Sequence, residues 1–440
     1  MTPMINMIEF DRNRKLEFLS PGEIQKAQEG LLHRHMHHLA SSSPFYRNLF
    51  RIKGVDISGV TLDNLHKLPL TDKSMLSEHN DNFLAVPRAQ VVDIVLSSGT
   101  TGKPTVMMYT ENDLRRLAYN EEISFTGCGL TREDVVLLTC TLDRCFIAGL
   151  AYFSGVRSLG AAAIRNGLSS FESHLEIIKR MKPTVLVGVP TFLVKLGQFI
   201  QAQDIDPVSV GVGKLICIGE PVRDRDLEFL RVGADLKAVW GASIYSTYAS
   251  SETITSFCEC TAQKGGHLHP DLAIVEIVNE AGEILPAGDI GEVVMTPLSI
   301  EAMPLLRFRT GDMSFLMHEH CSCGRNSSRL GPILGRKKQM IKFRGTTLYP
   351  NSIYTVLDSF PEVSEFYVSA STGYDLSDVV KVHVALKDVS CTAEMIMDKL
   401  QAHLRVRPEV VIADEETVKK QVYSGNPRKL NRFVDTRKSL

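Results

Sequence analysis

Residues 96–105 read L-S-S-G-T-T-G-K-P-T, directly after the apolar run V-V-D-I-V-L at 91–96. A loop this rich in hydroxyls and glycine, with one lysine, suits the cradling of a phosphate. Backbone N–H groups and side-chain donors can converge there on an anion, and glycine lets the backbone come close to it. It is not a Walker loop. That motif runs G-x-x-x-x-G-K-[ST] into a helix, whereas Gly99 and Gly102 are three apart and Pro104 follows Lys103. Proline has no N–H to give and biases the residue before it away from helix. Taken alone, a Gly–Thr turn between two strands would read the same way.

The surrounding 440 residues are enough for two or three domains, and the 44% apolar fraction provides a real core. A net charge of −2 argues against a nucleic-acid binder held by bulk electrostatics. No apolar run reaches the roughly 18 residues of a membrane span, so no membrane partner is expected. The start, M-T-P-M-I-N-M-I-E-F-D-R-N-R-K, is broken by charge and lacks a secretory core. Nine cysteines are sparse and odd in number, which suits a reducing, cytoplasmic setting.

Residues 21–50 have the apolar spacing of a helix. Within them His33, His35, His37 and His38 tempt a metal reading, but alternating histidines scatter round a helix and do not converge. From residue 90 to about 300, β-branched runs such as D-V-V-L-L-T, P-T-V-L-V-G-V and K-L-I-C-I-G alternate with longer helical stretches, the signature of an α/β architecture. Residues 273–296 read as a β-hairpin with a long loop. The tail from 336 has its own mix, with strands near M-I-K-F and V-V-K-V-H-V-A-L and a helix near 393–406. The fold class expected is α/β: a large multi-subdomain N-terminal α/β domain over 1–335 and a small C-terminal α+β domain over 336–440. Residues 257–269, F-C-E-C-T-A-Q-K-G-G-H-L-H, and 320–325, H-C-S-C-G-R, hold two close C-x-C pairs about sixty residues apart. Two such pairs can supply the four ligands of a tetrahedral metal site, the alternative being four free thiols.

Further stretches exceed what a plain α/β fold requires: Gly219-Glu220-Pro221, Tyr248-Ala249-Ser250-Ser251-Glu252, Arg307-Phe308-Arg309-Thr310-Gly311-Asp312 and Gly335-Arg336. With the opening loop, and in this order, they resemble the adenylate-forming superfamily of acyl-CoA ligases, adenylation domains and luciferases. S-S-P-F-Y-R at 42–47, E-A-M-P-L-L-R-F-R-T-G-D at 301–312 and C-S-C-G-R at 321–325 resemble its phenylacetate–CoA ligase branch.

The resemblance implies ATP-dependent activation of a carboxylic acid as an acyl-adenylate, release of pyrophosphate, and transfer to CoA. It implies that Ser97, Ser98, Gly99, Thr100, Thr101, Gly102 and Lys103 wrap the β- and γ-phosphates, where fixed donors offset the charge of the leaving pyrophosphate. Glu252 would take Mg²⁺, a hard oxygen ligand for a hard cation. Ser251 would bond the α-phosphate. Ala249 and Ser251 stand where the superfamily has Gly and Thr, and Ala249 narrows the room beside the acid. Gly219, Glu220, Pro221 and Tyr248 would enclose adenine. Asp312 would accept from both ribose hydroxyls, and Arg336 would reach the ribose or a phosphate.

In the superfamily the C-terminal domain rotates between half-reactions. Its pivot falls on Lys338, where the branch has aspartate. Residues 425–437, G-N-P-R-K-L-N-R-F-V-D-T-R, resemble the stretch bearing the adenylation lysine and place Lys429 in that role, with Arg428 where glycine is usual. The branch's C-x(6)-H spacing selects Cys260 and His267, with Cys321 and Cys323, as a structural zinc site in an insertion over about 257–325. Cys258 and His269 are reserve ligands, and Arg325 would support the metal turn. Phe146, Tyr152, Trp240, Ala242 and Ala249 would line a flat apolar slot of aromatic-acid size. The acceptor is CoA or the phosphopantetheine of a carrier protein, and a homodimer stays open. Rival readings are adenylation of a coenzyme and a non-catalytic nucleotide-binding protein.

Overall fold

The computed structural model describes residues 12–97, 105–343, 346–372, 378–388, 390–424 and 430–437. The β-branched runs form one six-stranded sheet in the order Ala162–Arg165, Val135–Leu138, Val185–Gly188, Lys214–Ile218, Ser243–Ser250, Thr255–Cys258. All neighbours are parallel except the last pair. Both faces are covered by helices, so the strands are apolar on both sides and read as continuous runs. Leu137, Leu215, Cys217 and Ile244 face one helical layer, which includes Pro190–Gln201 and Arg231–Trp240. Val136, Leu138, Ile216 and Tyr245 face the other, with Glu111–Gly127 and Ile147–Leu159.

The hairpin expected over 273–296 is present as Ala273–Val278 antiparallel to Gly291–Pro297. It joins Phe308–Ser314 and Thr71–Asp72 in a second sheet. Three of these strands lie within 257–325, so the stretch is not a separate metal-binding insertion: it contributes framework strands between its two cysteine pairs.

Residues 21–50 hold two helices instead of one, Pro21–Ser42 and Pro44–Lys53. Pro44 disfavours helix at the residue before it, and Ser43 there takes an extended conformation and caps the second helix through Tyr46 N. On the first helix His35 and His38 are buried and donate from Nε2 to the carbonyls of Leu305 and Glu301, at 2.9 and 2.8 Å. His33 and His37 point to solvent. Burial lowers the His35 pKa to about 3, against about 6.5 in an unfolded chain. The unfolded chain therefore binds a proton below that value which the native state refuses, and stability falls as pH drops. The loss is roughly 2–3 kcal/mol near pH 4.5. Denaturant midpoints of His35→Gln, which keeps a donor for Leu305, should fall less steeply than wild type between pH 6.5 and 4.5.

Contacts divide the chain into two units. One comprises Met1–Thr310 and Ser314–Ile333; the other comprises Gly311–Met313 and Leu334–Leu440. In the second unit Val363–Thr372 pairs antiparallel with Asp378–Leu386 and parallel with Phe433–Asp435. Glu409–Ile412 lies parallel on the far side. Helices Pro350–Asp358 and Ala393–Leu404 supply Ile353, Leu357, Ile396 and Leu400 to its core. Among the described residues no helix is long and apolar enough to cross a membrane.

Candidate active site and metal centre

Strands Asp93–Leu96 and Val106–Tyr109 pair antiparallel, with Leu96 opposite Val106. Ser97 N then donates to Thr105 O at 2.9 Å. The Ser/Thr/Gly loop is thus the connection of a hairpin and not the strand-to-helix turn of a Walker site. Ser98, Gly99, Thr100, Thr101, Gly102 and Lys103 lie outside the described residues; Ser97 is buried. Leu96 N also donates to Cys145 O at 2.9 Å, fastening the hairpin to the loop that precedes helix Ile147–Leu159.

The six-stranded sheet brings two of the other motifs to the C-terminal ends of neighbouring strands, where open α/β sheets bind ligands. Gly219 follows Lys214–Ile218 with φ of 77°, a left-handed turn that suits glycine. Glu220 turns back to accept from Thr191 N and Oγ1, at 3.1 and 3.0 Å, so it caps helix Pro190–Gln201. Tyr248 is half-buried on Ser243–Ser250, and Ala249 beside it is exposed. Ser251 O accepts from Tyr109 OH at 2.9 Å. Buried Arg116 ties the next turn down, donating to Ile254 O at 2.8 Å and to Thr255 Oγ1 at 3.2 Å.

Glu252 at that turn receives Lys73 Nζ on Oε1 at 2.6 Å and Ser250 Oγ on Oε2 at 3.3 Å. Burial opposes its charge, but the Lys73 ammonium more than offsets this, and its pKa lies below the usual carboxylate value. The carboxylate is therefore ionised and available to a cation. Sequence reading missed both Lys73 and Arg116. T-D-K at 71–73 looks like any strand-to-helix step, and nothing in a linear chain pairs it with a glutamate 179 residues away.

In the second unit Asp312 lies opposite Arg336 in an antiparallel pairing, and Arg336 Nε approaches Asp312 Oδ1 at 3.2 Å. Lys338 is exposed in the short turn Lys337–Gln339, where its carbonyl accepts from Arg437 at 3.3 Å. Lys429 lies outside the described residues. The chain is anchored just after it: Asn431 N donates to Val422 O at 2.7 Å, and Arg432 pairs with Glu365 at 2.7 Å.

The expected acid pocket is not assembled from these residues. Trp240 and Ala242 pack in the core on one face of the six-stranded sheet, with Trp240 Nε1 donating to Leu193 O at 3.0 Å. Tyr152 is buried on the opposite face, against Phe125. A sheet lies between them, so they share no slot; Phe146 remains half-buried and Ala249 exposed.

The metal candidates do converge. The ligand atoms of Cys260, His267, Cys321 and Cys323 all lie within 4.8 Å of one another. Cys260 and Cys321 sulfurs are 3.6 Å apart, and Cys323 Sγ is 3.4 Å from His267 Nε2. His267 Nδ1 faces Ser327 O and Oγ at 3.2 and 3.0 Å, which orients the ring. The reserve ligands are elsewhere: Cys258 lies 3.1 Å from Cys128, and His269 pairs with Glu17. Arg325 donates to Glu17 at 2.6 Å and to Cys323 Sγ at 3.6 Å, linking the turn to the N-terminal segment.

Comparison with known proteins gives the class of enzyme to which this arrangement belongs. Residues 55–298 match the family described as AMP-binding enzyme, and residues 345–437 match its C-terminal domain. The chain belongs to this adenylate-forming family. It is 33% identical to phenylacetate-coenzyme A ligase of Thermus thermophilus, over 80% of this chain and 79% of that one. The corresponding enzyme of Pseudomonas putida is 30% identical over 84% of each. The relationship puts the chain on the phenylacetate–CoA ligase branch. Its fold matches a 2-hydroxyisobutyryl-CoA ligase solved with an acyl-adenylate, at a TM-score of 0.84, 20% identity, and coverage of 99% of this chain and 94% of that one.

Proposed function

We propose that this AMP-forming ligase activates an aromatic acid of the arylacetic type and passes the acyl group to CoA. The likeness to two phenylacetate–CoA ligases over about four-fifths of their length carries the acid class. In the first half-reaction a carboxylate oxygen attacks the α-phosphorus of ATP and pyrophosphate leaves. In the second, the thiol of CoA attacks the acyl carbon and AMP leaves.

The roles follow from charge. Carboxylate and triphosphate repel, so the site must gather donors and cations round them. Residues 97–103 would hold the β- and γ-phosphates, and Glu252 would hold Mg²⁺, for which an ionised oxygen ligand at a fixed turn is the fitting donor. Ser251 faces the α-phosphate. Tyr248 and Gly219–Pro221 take the adenine, and Asp312, positioned by Arg336, takes the ribose diol. Lys429 approaches the α-phosphate, and the C-terminal domain turns about Lys338 between half-reactions. Pyrophosphate exchange that depends on an added acid tests the reading. Arylacetic acids should give the strongest signal, with thioester appearing only when CoA is present. Exchange with short aliphatic acids alone would refute the acid class.

We also infer a structural zinc at Cys260, His267, Cys321 and Cys323. A tetrahedral zinc with Zn–S of about 2.3 Å and Zn–N of about 2.0 Å sets its ligand atoms roughly 3.5–3.8 Å apart. The 3.6 and 3.4 Å separations fit it. Four protein ligands leave no open position, so the role is to hold the turn and not to catalyse. Purified protein should carry about one equivalent of zinc, and Cys321→Ser should lose it together with thermal stability. Less than about 0.3 equivalents in the wild type would rule the site out.

A further inference from the structure

We propose that Lys73 is a phosphate-binding residue of the adenylation step, and that it occupies the magnesium position on Glu252 until Mg²⁺·ATP arrives. The inference rests on the reading of Glu252 given above and extends it to a residue that reading does not contain.

The backbone that carries Lys73 is clamped. Thr71 and Asp72 run parallel to Phe308 and Arg309, Thr71 N donates to Arg307 O at 3.1 Å, and Thr71 Oγ1 donates to Leu306 O at 2.7 Å. Asp72 then caps helix Lys73–Glu78 by accepting from Met75 N at 2.9 Å. The side chain leaves this fixed base and sets its ammonium 2.6 Å from Glu252 Oε1, with 29% of the lysine side chain and 14% of the glutamate side chain exposed.

Two cations at contact distance on one carboxylate oxygen repel strongly in a partly buried site. Mg²⁺ on Glu252 Oε1 therefore competes with the ammonium for that oxygen. Four methylenes give lysine the reach to leave it while its backbone stays put. The charge that displaces it comes with new acceptors, because the metal enters carrying the β- and γ-phosphates. The same ammonium thus does two things in sequence. In the empty site it keeps Glu252 ionised; in the filled site it donates to phosphate oxygens whose charge grows as pyrophosphate departs. A further consequence is order of entry: free Mg²⁺ competes poorly with Lys73, whereas Mg²⁺·ATP gives the lysine a replacement partner. An ion pair with only a structural role has none of these consequences.

The test compares wild type, Lys73→Met and Lys73→Arg by acid-dependent pyrophosphate exchange across a magnesium series. Thioester formation from supplied acyl-adenylate and binding of Mn²⁺ without ATP are measured alongside. Lys73→Met should lose about 10²–10³-fold in exchange and keep thioester formation within about threefold. It should bind nucleotide-free Mn²⁺ at least about tenfold more tightly. Lys73→Arg, which keeps the charge, should recover part of the exchange. The proposal is overturned if Lys73→Met exchanges within about threefold of wild type, if both half-reactions fall equally, or if Mn²⁺ affinity is unchanged. A wild type that shows no acid-dependent exchange refutes the parent reading instead, and is recognised without any variant.

Discussion

Lys429→Ala is expected to cut acid-dependent pyrophosphate exchange by about 10²–10³-fold while thioester formation from supplied acyl-adenylate survives within severalfold. The asymmetry is the point. Charge accumulates on the α-phosphoryl oxygens only while the carboxylate adds and pyrophosphate leaves, so a group that stabilises that transition state alone lowers one rate and not the other. Its neighbours have a different task. Arg432 pairs with Glu365 at 2.7 Å and lies 4.3 Å over the Phe366 ring, while Phe433–Asp435 adds an edge strand beside Val363–Thr372. These contacts fix the chain on the C-terminal side of Lys429. Arg432→Ala should therefore lower the stability of the C-terminal domain and depress both half-reactions. Equal loss of the two half-reactions in Lys429→Ala, with an unchanged melting profile, would count against the lysine's assignment.

The parts of this molecule legible from sequence are those written locally. The strand-and-helix alternation over 135–258 is set by apolar runs a few residues long, and it becomes the six-stranded sheet. The hairpin at 273–296 and the strands and helix of the tail were readable on the same ground. The two C-x-C pairs marked a metal site and the family resemblance chose the cysteine and histidine quartet within it, whose donor atoms do meet. What sequence hid is pairing across distance. Glu17 meets Arg325 and Lys73 meets Glu252 over 308 and 179 residues. No periodicity records such a meeting. The aromatic slot failed for a related reason: Tyr152 and Trp240 are apolar and lie near suitable motifs, but which face of the sheet each occupies depends on helices packed from elsewhere.

Arg307→Met is expected to destabilise the N-terminal unit by about 3–5 kcal/mol and to lower its melting temperature by roughly 5 °C, a larger effect than any single surface change. Arg307 is 2% exposed. It bonds both oxygens of Glu276 at 2.9 and 3.0 Å. It also donates to the carbonyls of His66 and Leu68, each at 2.7 Å, and more weakly to Gly282 O at 3.4 Å. Truncation leaves a buried carboxylate and two short-bonded carbonyls without their donor, and that is where the cost lies: breaking a buried pair is far worse than never having one. The double variant Arg307→Met, Glu276→Leu should accordingly recover a substantial part of the loss. The neighbouring Arg309 provides a milder case: it makes a single contact to Glu292 at 3.0 Å and 19% of its side chain is exposed, so Arg309→Met should cost less than Arg307→Met. The consequence reaches the site through Thr71, whose N–H is bonded to the Arg307 carbonyl at 3.1 Å and which stands two residues before Lys73. Loosening Arg307 releases the segment on which the Lys73 backbone is fixed, so exchange activity should decline well below the temperature at which the unit melts. A melting curve of Arg307→Met that overlays wild type would show that the bidentate pair and its carbonyl partners do not hold this segment in place.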